Sequence, residues 1–252
     1  MKTSLRNCLL AITAILVASA TSLQAQTTIE IREVPAFSKI TTSGNISVIL
    51  TQSDITEVRI EAPAHYQEDI VARVSGNTLK LEYTGKERRL EPIKAYVSFS
   101  EISHLSSSGA GSFKSTNQIA VPSLRVSGSG ASSIDLDIET AQLSISLSGA
   151  SNVRLKGKAS SHELQVSGAS VVRAYDLETE VTSMTLSGAS SAQVLALSSL
   201  SVVGSGTANL SYKGTPAVKN FKTSGMATIR GREKESGSTK CLLHFLYIPF
   251  AD

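Results

Sequence analysis

The chain has no tryptophan, and aromatic residues make up 5% of it. Sugar-processing sites commonly combine aromatic platforms with paired carboxylates, so this shortage speaks against a polysaccharide-processing β-helix enzyme, the alternative reading weighed below. Cysteine is as scarce, with Cys8 and Cys241 the two in the sequence. Cys8 precedes an apolar run near the start, and one remaining thiol excludes an internal disulfide framework and a cysteine-rich metal site while permitting an intermolecular bridge. The four histidines, His65, His104, His162 and His244, show no metal spacing such as H-E-x-x-H, and no G-x-S-x-G elbow occurs. No apolar run reaches the roughly 20 residues a bilayer core demands, which excludes a transmembrane helix. Charge is also thin. The formal net charge is +3, without the clustered Lys and Arg that nucleic acid or an anionic membrane would require.

What is present begins with an export signal. Lys2 and Arg6 form a positive start, residues 9–18 are apolar apart from Thr13, and a small, polar stretch ends in Ala25-Gln26. This order predicts a signal peptide over residues 1–25, whose removal takes the net charge from +3 to +1. The apolar run is too short to remain as an anchor, and Cys8 stands on the wrong side of it for a lipoprotein cysteine.

The second half repeats itself. A Ser-Gly-Ala corner places glycines at Gly109, Gly130, Gly149, Gly168, Gly188, Gly206 and Gly225, spaced by 21, 19, 19, 20, 18 and 19 residues. Four residues after each glycine stands an apolar or small residue, from Phe113, Ile134 and Val153 to Ile229, and Gly44 obeys the same rule with Val48. Between corners the pattern alternates, as in Leu143, Ile145 and Leu147 separated by serines, which is the period of a half-buried strand. A unit of about 19 residues cannot bury its apolar face alone, but stacked units build a continuous core. The expected fold is all-β, a parallel β-helix-like solenoid with rungs of about 19 residues holding two short strands and two corners each. Its winding is expected to be right-handed. Residues 55–100 break the period and read as strands inserted to cover one end of the coil, with room for one short helical turn between His65 and Val74. The chain thus divides into a signal peptide (1–25), an N-terminal β region with the first corner (26–107), the repeat β-helix (108–232), and a polar linker with an apolar tail (233–252).

The segment Phe37-Ser38-Lys39-Ile40-Thr41-Thr42-Ser43-Gly44-Asn45-Ile46-Ser47-Val48-Ile49-Leu50-Thr51-Gln52, followed by Val58-Arg59-Ile60-Glu61-Ala62 and the Ser-Gly-Ala-Ser repeats, resembles the head GIN domain family of autotransporter adhesins. The resemblance runs over about residues 29–232. It implies an exported bacterial β-helical domain of the cell envelope, in the periplasm or at the surface, and brings no catalytic residues with it. The apolar tail, residues 241–250, has no counterpart in that resemblance.

One carboxylate cluster stands out. Asp135, Asp137 and Glu139 share one face of a strand, as a cation site or an acid/base group would require. Arg154, Lys156 and Lys158 occupy the same offsets from Gly149 that the acids occupy from Gly130, so stacking of the glycines sets acid against base at all three positions. An electrostatic ladder is therefore expected in place of a metal site, and the sequence offers no catalytic, cofactor-binding or metal-binding set. The function expected is that of a non-catalytic surface or periplasmic binding module for an unknown protein or glycan.

Overall fold

Period-two alternation becomes strand almost wherever the chain is described. The computed structural model describes residues 27–86 and 91–232, and it is 73% strand and 3% helix, a β-solenoid of about 7 turns with rungs of about 19 residues. The segment expected as signal peptide, with Cys8, and the tail, with Cys241 and His244, lie outside the described residues.

The chain enters through β1 (Thr27–Arg32) and then makes its first corner at Gly44, between β2 (Lys39–Gly44) and β3 (Ile46–Gln52). Next come β4 (Glu57–Pro63), a 3₁₀ turn over Ala64–Asp69, β5 (Ile70–Ser75), β6 (Thr78–Tyr83) and β7 (Ile93–Phe99). The helical turn expected within residues 65–74 is this 3₁₀ turn, shifted toward the N-terminus. From Ile70 onward the chain is already extended, held antiparallel against β6.

The inserted segment does more than cover an end. β6 and β7 run parallel to β2 and β3 and form a rung of their own. β8 (His104–Gly109) and β9 (Ser112–Ser115) stack on the other side of β2 and β3. Rung order in space therefore departs from chain order. Beyond β6 and β7 the polarity reverses, because β5 lies antiparallel to β6, β4 to β7 and β1 to β4. The buried Gln67 ties these strands together, its amide donating to the carbonyls of Thr28 at 3.1 Å and Ile60 at 3.3 Å. On the outer face Glu61 accepts from Lys94 at 2.8 Å and from Tyr96 at 2.6 Å. The Lys94 hydrogen bond, then that of Tyr96, holds the Glu61 carboxyl below its ordinary range.

The regular array follows: β10 (Ile119–Gly130), β11 (Ser133–Gly149), β12 (Asn152–Gly168), β13 (Val171–Leu186) and β14 (Ser191–Gly204), closed by β15 (Asn209–Lys213), β16 (Val218–Thr223) and β17 (Thr228–Arg232). All these pairings are parallel. Two short strands per rung were expected, but β11 and β12 run 17 residues each, through the second corner. That corner interrupts the ladder at a single position: Thr140 pairs with Ala159 and Gln142 with Ser161, leaving Ala141 and Ser160 between. The uneven spacing has a local cause. In β13 the register slips between Arg154 and Lys156, so that Ala174 and Tyr175 together oppose Leu155, a β-bulge that adds the extra residue of the 20-residue rung.

Inward residues stack in columns. Val48, Phe113, Ile134, Val153, Val172, Ala192 and Leu210 form one such column and are buried throughout. Val126, Ile145, Leu164, Met184 and Val202 form another. Each buried aliphatic side chain contributes about 1.5–3 kcal/mol relative to exposure, so the stability of the coil is spread along its whole length.

Candidate contact surface of the solenoid

The glycines of the Ser-Gly-Ala corners stack as expected. Gly44, Gly109, Gly130, Gly149 and Gly168 are in direct register, and each rung's next residue donates its amide to the glycine below, as Ala150 does to the Gly130 carbonyl at 2.8 Å. The corner serines split into two roles. Ser132, Ser151, Ser170 and Ser190 point inward and are buried, while Ser129, Ser148 and Ser167 face solvent. These serines are architecture, each set at a fixed place in the rung.

The charge ladder has the expected register: Asp135 opposes Arg154, Asp137 opposes Lys156 and Glu139 opposes Lys158. The middle pair closes, with Lys156 Nζ 3.1 Å from Asp137 Oδ2. Lys158 leans toward the following rung, 3.9 Å from Glu178. Arg154 opposes Arg173 on its other side, and Arg173 donates to the Asn152 side-chain oxygen at 2.6 Å. The three acids are thus spread along a strand, each facing a cation. Among the described residues no three of His, Cys, Asp and Glu converge as a metal ion would require. Asp137→Lys is expected to lower stability by a few tenths of a kcal/mol, as an exposed cross-strand pair contributes. Lys156→Asp in the same chain is expected to restore most of it, and calcium to leave the melting temperature unchanged. A calcium-dependent rise in melting temperature that Asp137→Ala removes would overturn the ladder.

The surface is concave at the second corner. Its outward column reads Pro122, Ala141, Ser160, Glu180 across successive rungs, and the small Ala141 and Ser160 leave a groove of about 710 Å³ whose lining includes Glu139, Lys158, Glu178 and the half-exposed Leu197. Strands 4.8 Å apart make such a groove about 15 Å long over four rungs. Its electrostatics are mixed, the Lys158 ammonium standing in register between the Glu139 and Glu178 carboxylates. On the other side of this corner a smaller groove of about 400 Å³ gathers Lys39, His104 and Arg125 in one column, with Glu163 beyond. Burial, with help from the charges of Arg125 and Lys39, holds His104 below its ordinary pKa.

A coil whose corners are Ser-Gly-Ala and whose first rung is built on the 37–52 segment has a counterpart among known sequences. The family described as "Putative auto-transporter adhesin, head GIN domain" matches residues 36–216. The chain belongs to this head GIN domain family. Solved structures share its fold. A "putative adhesin" from Bacteroides fragilis NCTC 9343 superposes with a TM-score of 0.78 at 22% identity, covering 82% of this chain and 97% of its own. A "putative adhesin" from Parabacteroides merdae ATCC 43184 gives 0.64 at 16% identity, over 83% and 97%. A "putative lipid binding protein" from Parabacteroides distasonis ATCC 8503 gives 0.67 at 18%, over 83% and 98%. At such identities the likeness carries the fold and no ligand. A comparison with curated sequences finds no match.

Within the head GIN domain fold, the described histidines are kept apart. His65 lies in the 3₁₀ turn with its ring 4.1 Å from that of Tyr66, His104 lines the smaller groove, and His162 is sealed in the core. Sequence reasoning missed both grooves, since the second corner carries no Ser-Gly-Ala marker. The signal that could have found the larger one is the pair Ala141 and Ser160, small residues at equivalent offsets from Gly130 and Gly149. No helix among the described residues is long and apolar enough to cross a membrane.

Proposed function

We propose that this head GIN domain protein is an exported, non-catalytic binding module of the cell envelope, which holds a protein or glycan along the lateral surface of its coil. The larger groove carries the reading: it is open, crosses several rungs, and sets Lys158 among three carboxylates on a rigid stacked-strand frame. An extended ligand could register its polar groups against such a repeating surface. The family's adhesin description and the expected signal peptide support the same reading. Against catalysis, the histidine most enclosed by the fold, His162, is sealed in the core, out of a substrate's reach. The reading assigns contact residues to this groove and calls for no cofactor.

A defined glycan array, run beside a lyase and hydrolase panel, tests this. We expect binding without turnover, and Glu178→Lys with Glu180→Lys is expected to weaken it at least about tenfold, the loss of about 1.4 kcal/mol. Turnover of a polysaccharide that disappears on changing one groove carboxylate would instead establish an enzyme.

A further inference from the structure

One outward column departs from the rule by which this coil places its charges. Asp135, Asp137 and Glu139 each face a cation, and Glu61 holds Lys94. In the smaller groove, by contrast, Lys39 lies in register with His104 and His104 with Arg125, three basic side chains on adjacent rungs of one face. Rungs stand about 4.8 Å apart, so the three span about 10 Å. The next partners bring no carboxylate, since Lys39 faces Thr78 on its other side and Arg125 faces Ser144. Among the described residues neither Lys39 nor Arg125 has an ion-pair partner. A protonated His104 would meet a like charge on each side, which destabilises paired strands, and an anion drawn into the column removes that penalty. Arg154 and Arg173 are also in register, but there Asp135 faces the first and Asn152 accepts a hydrogen bond from the second.

The surroundings of this column are polar and uncharged. Ser123, Gln142 and Ser161 stand in register along one flank, and Ser106, Ser127 and Ser146 along the other, while Leu124 and Leu143 beneath are buried. Two rungs beyond Arg125 the column reaches Glu163, which accepts from Gln165 at 2.9 Å and bounds the basic stretch. We infer that this groove is a second contact site, which takes the carboxylate or sulfate groups of an acidic glycan on Lys39, His104 and Arg125 while the flanking hydroxyls and the Gln142 amide meet its neutral oxygens. The spacing favours a sugar chain over a peptide. In an extended peptide, side chains on one face recur about every 6.8 Å, out of step with the column, whereas a chain of pyranose rings advances by a step close to that of the rungs. The site shares no lining residue with the larger groove and does not depend on a ligand there.

The test titrates oligogalacturonate, its methyl ester, a sulfated oligosaccharide of the same length and oligoglutamate into the full chain by calorimetry at low salt. We expect at least one of the two acidic sugars to bind, and the uncharged methyl ester to bind at least about tenfold more weakly than oligogalacturonate where the latter is the ligand. Lys39→Ser/Arg125→Ser is expected to weaken acidic-sugar binding at least about tenfold, and Glu163→Gln to strengthen it about two- to threefold. Exposed substitutions of this kind change stability by no more than about 0.5 kcal/mol, so a matching melting temperature separates lost affinity from lost fold. Lys114→Ser/Arg173→Ser makes the same change of net charge on the face of the ladder and is expected to leave binding unaltered. Equal losses in the two serine pairs would overturn the proposal, since net charge alone would then draw the ligand. So would failure of both acidic sugars to bind, or oligoglutamate binding as tightly as they do, which would make an acidic peptide the occupant. Acidic-sugar affinity lost in Glu178→Lys/Glu180→Lys and kept in Lys39→Ser/Arg125→Ser would place the ligand in the larger groove, which overturns this site and leaves the proposed function standing.

Discussion

Gly149→Ala is expected to destabilise the protein by about 2–5 kcal/mol, and Gly44→Ala by about 1–2 kcal/mol. The two glycines hold the same corner conformation, with φ of +99° and +90°. An L side chain in that region costs about 1–2 kcal/mol wherever it stands. The difference comes from the neighbour. A Cβ on Gly149 would sit 2.5 Å from the Gly130 carbonyl oxygen and 3.0 Å from its nitrogen, whereas one on Gly44 meets nothing within 4 Å. The obstacle at Gly149 is backbone held by the ladder on both sides, so relief requires parting two rungs, at the cost typical of an overpacked interior. Urea unfolding of both variants at fixed pH measures this, with the slope checked for constancy. Equal losses at the two positions would show that the corner column is governed by backbone angle alone and that the close stacking of rungs is not what selects glycine.

That column also explains why so much of the fold was legible. A residue that must be glycine at every rung leaves a countable mark in the sequence, and once Gly130 and Gly149 are aligned the pairing of Asp137 with Lys156 follows without further assumption. The period-two pattern assigned the inward columns for the same reason, since only one face of each strand can meet the core. Legibility ended where the chain stopped obeying one rule. β6 and β7 carry no corner glycine, so nothing in Leu79, Leu81, Ile93 or Ala95 announces that they stack on β2 and β3 out of chain order. The bulge at Tyr175 was visible as one extra residue in the rung, but its position was not, because Ala174 and Leu177 both satisfy an inward reading. The grooves were hidden because a concave surface is made by small side chains among larger ones, which alternation does not record. His162 was legible and overlooked. It stands two residues before Leu164 and four before Val166, on the inward face, and a search by metal spacing alone passes over it.

His162 carries the steepest pH dependence expected of this protein. Its ring is 1% exposed, in register with Leu143 on one side and Thr182 on the other, and neither ring nitrogen has a hydrogen-bond partner among the described residues. Burial drives its pKa down from 6.5 to about 4. A neutral, unpartnered imidazole is costly at any pH, because a buried unsatisfied polar group forfeits about 1–3 kcal/mol. Acid adds to the cost. Above pH 6.5 neither the folded nor the unfolded chain holds the proton, so this residue gives stability no slope. Between pH 6.5 and about 4 the unfolded chain takes up a proton that the folded chain refuses, and stability falls toward the lower pH. The fall approaches 1.4 kcal/mol per pH unit at its steepest and about 3 kcal/mol in total. His162→Leu, with Leu143 and Leu200 already in the same column, is therefore expected to stabilise the fold by about 1–3 kcal/mol at pH 7.5, with a larger gain at pH 5. His104 is also held below its ordinary value, and Glu61 is held below its own, so the parent and the variant share a residual acid sensitivity that cancels in their difference. Unfolding curves for both chains at pH 7.5, 6, 5 and 4.5 isolate that difference. A gain that stays constant across the series would mean that His162 accepts its proton inside the folded coil, and the sealed core described here would have to admit water or an anion at that rung.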